Sequence, residues 1–432
     1  MGGGRYVLLG LAPARSDWFR DVAHWANAGI IAAEFVKCLS AEEVRARLAS
    51  GRPFSALLVD ATLPSLDRDF VDVVRGAGCA VLVVGDGRRG RDWAELGAAA
   101  TLPTRFDRKV LVDALSGHVS LIGRADGTHA TDDPPVTNRW HAPIIAVTGP
   151  GGTGASTIAI ALAQGLASDA RCAGSVLLAD FCLRAEQAML HDAGDVVPGV
   201  QELVDAFRTA RPSGDEIRAS TFAVPERGYR LLLGLRHSRA WSTIRPKAFE
   251  ATLDGLRTAF RCVVADVDAD LEGEDDGGSI DVEERNVMAR ISCASADAVA
   301  VVGVPGMKGT HSLARVVADL VSLGIAGSRI VTVVNRAPRG ARARAEIEGT
   351  LRQLLPAWAD SGAPGPVFVP DRHADEALRD NVRLPDALVT AMTAACRSAT
   401  ERVRGEAVRH PAPPRVVTPG ALGQWTPELE WR

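Results

Sequence analysis

The chain has 432 residues, two to three domains at about 150 residues each, and its 47% hydrophobic and 24% charged residues exclude wholesale disorder. A net charge of −4 excludes a global basic field for holding nucleic acid or anionic lipid. All but four of the 49 basic residues are arginine, so a site that requires lysine has only Lys37, Lys109, Lys247 and Lys308 to draw on. From the N-terminus, Tyr6–Leu11, Ala56–Val59 and Ala80–Val84 read as strands, and Ala41–Leu48, with Val44 and Leu48 on one face, reads as a helix. Strands alternating with helices predict a parallel α/β domain over residues 1–122.

Residues 123–141 are polar, contain Gly and Pro and have no periodicity, which predicts a linker. A second α/β pattern fills 142–404. Its expected strands are Ile144–Thr148, Val176–Ala179, Tyr229–Leu233, Cys262–Val267, Ala298–Val304, Ile330–Asn335 and Val367–Val369. Most are near-continuous apolar runs, as central parallel strands covered on both faces require. Helices are expected at Ala155–Ala167 and Ser312–Leu323, among others. Residues 405–432, with Pro-rich sequence and Trp425 and Trp431, read as a flexible tail whose tryptophans could dock a partner or fold back.

The seven cysteines are scattered and form no C-x-x-C pair, so neither a zinc site nor a disulfide framework is expected. The apolar run at the N-terminus is too short for a signal or a membrane span. These features predict a protein of the reducing cytoplasm.

The densest chemistry lies where Ile144–Thr148 runs into Gly149-Pro150-Gly151-Gly152-Thr153-Gly154-Ala155-Ser156-Thr157 and then a helix. Glycines let successive N–H groups face a phosphate, and the helix dipole adds favourable field. Gly149, Gly151 and Gly154 satisfy the dinucleotide fingerprint G-x-G-x-x-G; Gly149, Gly154 and Ser156 satisfy G-x-x-x-x-G-K-[ST] except for Ala155 at the lysine position. The downstream residues favour the second template. Ser156 and Thr157 supply a hydroxyl for Mg²⁺, and Asp266 stands at the tip of the apolar strand Cys262–Ala265. The acid after the second strand, Asp180, comes later than a dinucleotide site wants it.

In this order and spacing the region resembles the MinD/ParA class of deviant P-loop ATPases, whose loop reads Lys-Gly-Gly-x-Gly-Lys-[Ser/Thr]; here Pro150 to Ser156 stand in those places. The Gly-Gly-x-Gly-Ala-Ser-Thr form is similar to the CpaE/TadZ branch of pilus-assembly proteins. The resemblance covers about residues 143–400 and implies ATP or ADP with Mg²⁺, a homodimer, and protein partners in a pilus, secretion or division complex. It implies that Asp180 lies near the attacking water and Mg²⁺, that Asp266 is the Walker B acid beside Ser156, that Asn335 reads adenine, and that Val369-Pro370-Asp371 forms the base-side loop. Gly149, Gly151, Gly152, Thr153, Gly154, Ala155, Ser156 and Thr157 would form the phosphate cradle.

Two departures bear on chemistry. Pro150 replaces the lysine that reaches a partner's phosphates, and Ala155 replaces the lysine that bridges the β- and γ-phosphates. Losing one charge-assisted contact costs about 1.5–3 kcal/mol in binding, whereas losing a cation that acts at the transition state costs about 10³–10⁵ in rate. Weak nucleotide binding with little or no hydrolysis is therefore expected. A scaffold that keeps an empty loop for folding is the alternative. An NAD-linked oxidoreductase is more distant, because no proton donor motif follows the loop.

Other clusters carry less. Asp268, Asp270, Glu272, Glu274, Asp275 and Asp276 follow Asp266 among glycines and read as a solvated loop. Lys308 follows a strand's carboxyl end and could replace a missing lysine. Arg336, Arg339, Arg342 and Arg344 form a basic cluster without aromatic interleaving, which argues against nucleic acid. The Pro-broken tail argues against direct membrane insertion.

In the first domain, Leu57-Leu58-Val59-Asp60-Ala61-Thr62-Leu63-Pro64 resembles the phospho-acceptor turn of response-regulator receivers (a flavodoxin-like fold). The acids that would hold Mg²⁺ are missing from Gly10-Leu11-Ala12-Pro13, the hydroxyl after the fourth strand is replaced by Gly85-Asp86, and Thr101-Leu102-Pro103-Thr104 lacks the lysine. The resemblance implies a degenerate receiver serving as an interaction module, as in CpaE/TadZ-type proteins.

Overall fold

The computed structural model describes residues 5–13, 15–85, 91–121, 141–273, 279–356, 358, 363–372 and 374–409. The N-terminal unit runs β1 (Tyr6–Leu11), α1 (Asp17–Asn27), β2 (Ala33–Cys38), α2 (Ala41–Ala49), β3 (Ala56–Asp60), α3 (Arg68–Gly76), β4 (Ala80–Val84), β5 (Ala100–Leu102) and α4 (Arg108–His118). Its strands form one sheet in the order β2-β1-β3-β4-β5, and all pairs are parallel. This is a doubly wound order with its switch point between β1 and β3. Every residue of β3 is buried, as expected for a central strand with helices on both faces. Ser40, Asp67 and Asp107 cap α2, α3 and α4 by accepting from the N–H three residues on.

The second unit begins with β6 (Ile144–Thr148), α5 (Ala155–Ala167), β7 (Val176–Asp180), α6 (Gln187–Leu190), α7 (Val200–Thr209), α8 (Gly214–Ala219), β8 (Phe222–Val224) and β9 (Tyr229–Leu232). It continues through α9 (Pro246–Ala259), β10 (Cys262–Asp266), α10 (Ile280–Arg285), α11 (Val287–Ser295), β11 (Ala298–Gly303), α12 (Met307–Ser322), β12 (Ile330–Ala337), α13 (Ala341–Leu354) and β13 (Val367–Pro370). A short helix, Asp375–Arg379, and a long one, Asp386–Arg409, close the described chain. The eight strands lie in the order β13-β12-β11-β6-β10-β7-β9-β8, parallel except for β8 against β9.

The loop-bearing strand β6 is thus central, flanked by β11 and β10. Its helix α5 buries nine consecutive residues, Ile158–Leu166, between the sheet and the last helix. Gln164, inside that run, is satisfied by exchanging two hydrogen bonds with the Leu384 backbone. Arg227 is wholly buried, a rare place for arginine, and donates to the carbonyls of Val382 and Ala377.

The two units touch through α3. Helix α9 begins Arg245-Pro246 and has no side-chain cap of its own. The carboxylate of Asp69 supplies one from the other unit, accepting from the N–H groups of Lys247 (2.8 Å) and Ala248 (3.2 Å). Asp67, besides capping α3, accepts from the Arg208 guanidinium on α7 at 2.9 Å, and Arg68 donates to the Phe207 carbonyl.

The central strands match the sequence expectation to within one or two residues. No bounds were expected for three short or edge strands, β2, β5 and β8, and α12 starts at Met307 rather than Ser312. The last helix continues through Gly405, where a tail was expected to begin. Residues 122–140, most of the expected linker, and Trp425 and Trp431 lie outside the described residues, as do Glu274, Asp275 and Asp276.

Candidate functional site

The loop after β6 turns through two left-handed glycines, Gly152 (φ +80°) and Gly154 (φ +84°), a conformation that side chains with Cβ resist. Gly149 is needed for a different reason: a Cβ there would lie 2.4 Å from the Val302 carbonyl of β11. Thr153 folds back, its N–H and hydroxyl both donating to the Pro150 carbonyl at 3.2 and 2.7 Å. Nothing lies within 4 Å of where a Cβ on Gly151 or Gly152 would be, so the outer face of the loop is open. The first helical bond of α5 is Ile158 N–H to the Gly154 carbonyl, which leaves the N–H groups of Ala155, Ser156 and Thr157 facing the loop's mouth.

Two acids close the site from neighbouring strands. Asp180 ends β7 and Asp266 ends β10, and the two are directly paired in the parallel register. Both are buried, at 0% and 2% exposure. Asp180 accepts from the N–H groups of Cys182 (3.1 Å) and Gln187 (2.9 Å), and the Gln187 side-chain amide donates to Asp266 at 2.7 Å. The Ser156 hydroxyl lies close enough to Asp266 to favour its charged form. Burial, then the charge of Asp266, push the Asp180 carboxyl up; burial likewise pushes Asp266 up against the opposing effect of the Gln187 amide and the Ser156 hydroxyl. The pair therefore holds protons more tightly than free carboxylates.

Sequence reasoning missed Cys182 and Gln187. Ligand atoms of Asp180, Cys182 and Asp266 lie within 4.8 Å of one another. Burial and the neighbouring carboxylates keep the Cys182 thiol protonated, with its pKa raised well above the ordinary value. Gln187 is fully buried, and among the described residues nothing donates to its Oε1. Nothing local in the sequence marks Gln187, because its burial comes from strands distant in the chain.

The remaining expected residues are at the same, carboxyl end of the sheet. Asn335, on β12, donates from its side-chain amide to the Thr153 carbonyl at 2.8 Å. Pro370 ends β13 in register with Ala337, beyond Asn335 on the sheet's edge. Lys308 is exposed in the first turn of α12, next to β11. In the basic cluster, Arg344 donates to the Pro338 carbonyl and stacks over Phe368, while Arg336, Arg339 and Arg342 are exposed. The acidic loop is partly structural: Asp268 accepts from Leu183 N–H at 2.6 Å and Asp270 from Asn286 at 2.9 Å.

The residues present fit a magnesium nucleotide in outline. An open glycine loop offers N–H donors, and a hard cation finds the Ser156 hydroxyl and the Asp266 carboxylate together. Gln187 Oε1 is an orphaned buried acceptor beside them. The loop itself offers no cationic side chain to neutralise a triphosphate, since Pro150 and Ala155 stand at the two lysine positions.

No protein-family model matches the chain, and no curated protein matches it. Among solved structures it is similar to a ParA family ATPase from Chlorobium tepidum at 14% identity and a TM-score of 0.44, over 61% of this chain and 98% of that one. It is similar to the cell division ATPase MinD of Pyrococcus furiosus at 17% identity and a TM-score of 0.43, over 61% and 99%. A third similar structure is the septum site-determining protein MinD of Pyrococcus horikoshii, complexed with Mg-ADP, at 17% identity and a TM-score of 0.43, over 62% and 97%. Among the described residues no helix is long and apolar enough to cross a membrane.

Proposed function

We propose that the second unit is a MinD/ParA-like nucleotide-binding domain that takes ATP or ADP with Mg²⁺ weakly and hydrolyses ATP slowly or not at all. The observation that carries this is the open glycine loop set beside two buried acids in register, with no lysine in the loop. Backbone N–H groups of the loop and of the first turn of α5 would hold the phosphates. Ser156 and Asp266 would hold Mg²⁺, which supplies charge neutralisation at the phosphates when bound. Asp180, which accepts from two backbone N–H groups and lies next to Asp266, would orient a water. Val369-Pro370-Asp371 would flank the base.

The N-terminal unit acts as a degenerate receiver that docks protein partners. Asp60 ends β3 as a phospho-acceptor would, but it already accepts from Trp18 Nε1, Thr62 N–H and the Thr62 hydroxyl, and the end of β1 offers no acid to hold Mg²⁺. The whole is a cytoplasmic localisation or assembly factor of the CpaE/TadZ type, serving pilus, secretion or septum machinery and working as a homodimer.

The pseudo-ATPase scaffold is the second reading, favoured by Pro150, Ala155 and the tie from Asn335 to Thr153. A fluorescent ADP analogue titrated into the full chain, with phosphate release from ATP followed alongside, separates the two. Binding without appreciable turnover supports the first reading, no binding supports the scaffold, and brisk turnover contradicts both.

A further inference from the structure

A second cleft lies in the N-terminal unit, at the carboxyl ends of β1, β3 and β4. It has a volume of about 490 Å³, within the range of small-molecule sites, and sits at the switch point of the doubly wound sheet, where such folds place ligands. Three arginines line it, Arg15, Arg91 and Arg105. Among the described residues none of the three has an ion-pair partner. Arg91 lies over the Trp93 ring, 5.6 Å from its centre, which fixes its long side chain at the rim.

The acids in the same cleft are already engaged. Asp60 accepts three hydrogen bonds, and Asp17 is ion-paired with Arg20. Ser16, which also lines the cleft, precedes the eleven-residue helix α1 and makes no side-chain cap bond, so the first N–H groups of α1 add donors on the same side. The hydroxyl of Thr104 completes a lining rich in donors.

We infer that this cleft binds a small phosphoryl-bearing anion. Guanidinium groups suit phosphate oxygens because their forked donors pair with two oxygens at once, and three around one cavity match a di- or polyanion better than a carboxylate. Where a working receiver holds a divalent cation among acids, this cleft presents the opposite charge. The site is separate from the glycine loop and does not rest on the function proposed for it.

Pyrophosphate is the probe. Hydrogen exchange of the full chain, with and without millimolar pyrophosphate in a magnesium-free buffer, should slow in peptides covering residues 11–20 and 91–105, whatever happens at 149–157. Arg15 and Arg105 are exposed, so replacing them leaves the core untouched. The Arg15→Ala, Arg105→Ala double variant should abolish that slowing and weaken the corresponding binding on the order of tenfold or more. Pyrophosphate protection confined to the glycine loop, or protection at 11–20 that survives the double variant, would overturn the inference.

Discussion

The Asn335 side chain on β12 holds the Thr153 carbonyl of the glycine loop at 2.8 Å, while its Oδ1 accepts from the N–H of Arg336. Both ends of the amide are thus engaged, and Arg336 takes a left-handed φ of +53° beside it. A Cβ on Gly154 would come within 2.7 Å of the same amide nitrogen. Asn335 therefore braces the loop from below.

If bracing is its main effect, Asn335→Ala should weaken ATP and GTP equally, by about 1–2 kcal/mol, the range for losing a buried hydrogen bond. A side chain that reads the base would instead change the preference between the two. Competition binding of the two nucleotides against the variant decides.

Asp180 and His191 give stability opposite slopes in pH. The raised pKa of Asp180, pushed to about 8 by burial and by Asp266, means the folded state holds a proton that the unfolded state has lost above about 4. Its contribution falls as pH rises from about 4 to about 8. His191 lies buried between the Gln187 carbonyl and the Tyr229 hydroxyl, and burial lowers its pKa to about 4. Its contribution is full above about 6.5 and is lost as pH falls toward 4. Binding of Mg²⁺ with ADP should displace the Asp180–Asp266 proton. Calorimetry in two buffers of different ionisation enthalpy should show proton release near pH 7, and the gain in Tm should be larger at pH 8 than at pH 5.5.

Asp69 caps a helix in the other unit, so removing it costs stability at a distance in sequence. Asp69→Ala should lower stability by about 1 kcal/mol, as loss of an N-cap does, and Asp69→Asn should recover most of it. Thermal melts of the full chain with the α9 cap present and removed measure this.

The missing lysines should be recoverable. Ala155 opens α5 and is only half-buried, and Pro150 lies in the loop without contributing an N–H. The double change Pro150→Lys with Ala155→Lys should raise phosphate release from ATP at least about tenfold, a small part of what such cations supply. An unchanged rate would mean that Cys182 or the Asn335 brace, rather than lost charge, holds the site inactive.

How far the sequence could be read follows from the physics of each element. Central strands such as Cys262–Asp266 and Ala298–Gly303 are wholly buried and read as unbroken apolar runs. Edge strand β2, Ala-Glu-Phe-Val-Lys-Cys, is mostly half-exposed, and β5 and β8 have three residues each, too few to show a period. The start of α12 is hidden because Gly306 gives no side-chain cap. The glycine loop and its two acids were legible because strand, loop and helix are contiguous and the acids end apolar strands. Cys182, Gln187 and the buried Arg227 were not, because their surroundings come from strands and helices distant in the chain.

Whether a lysine-free glycine loop still binds a magnesium nucleotide is tested by calorimetric titration of ATP into the full chain with Mg²⁺ and with EDTA. Binding is expected in the micromolar-to-millimolar range and should weaken sharply in EDTA and in Asp266→Asn. Flat titrations at millimolar ATP with Mg²⁺ would contradict it.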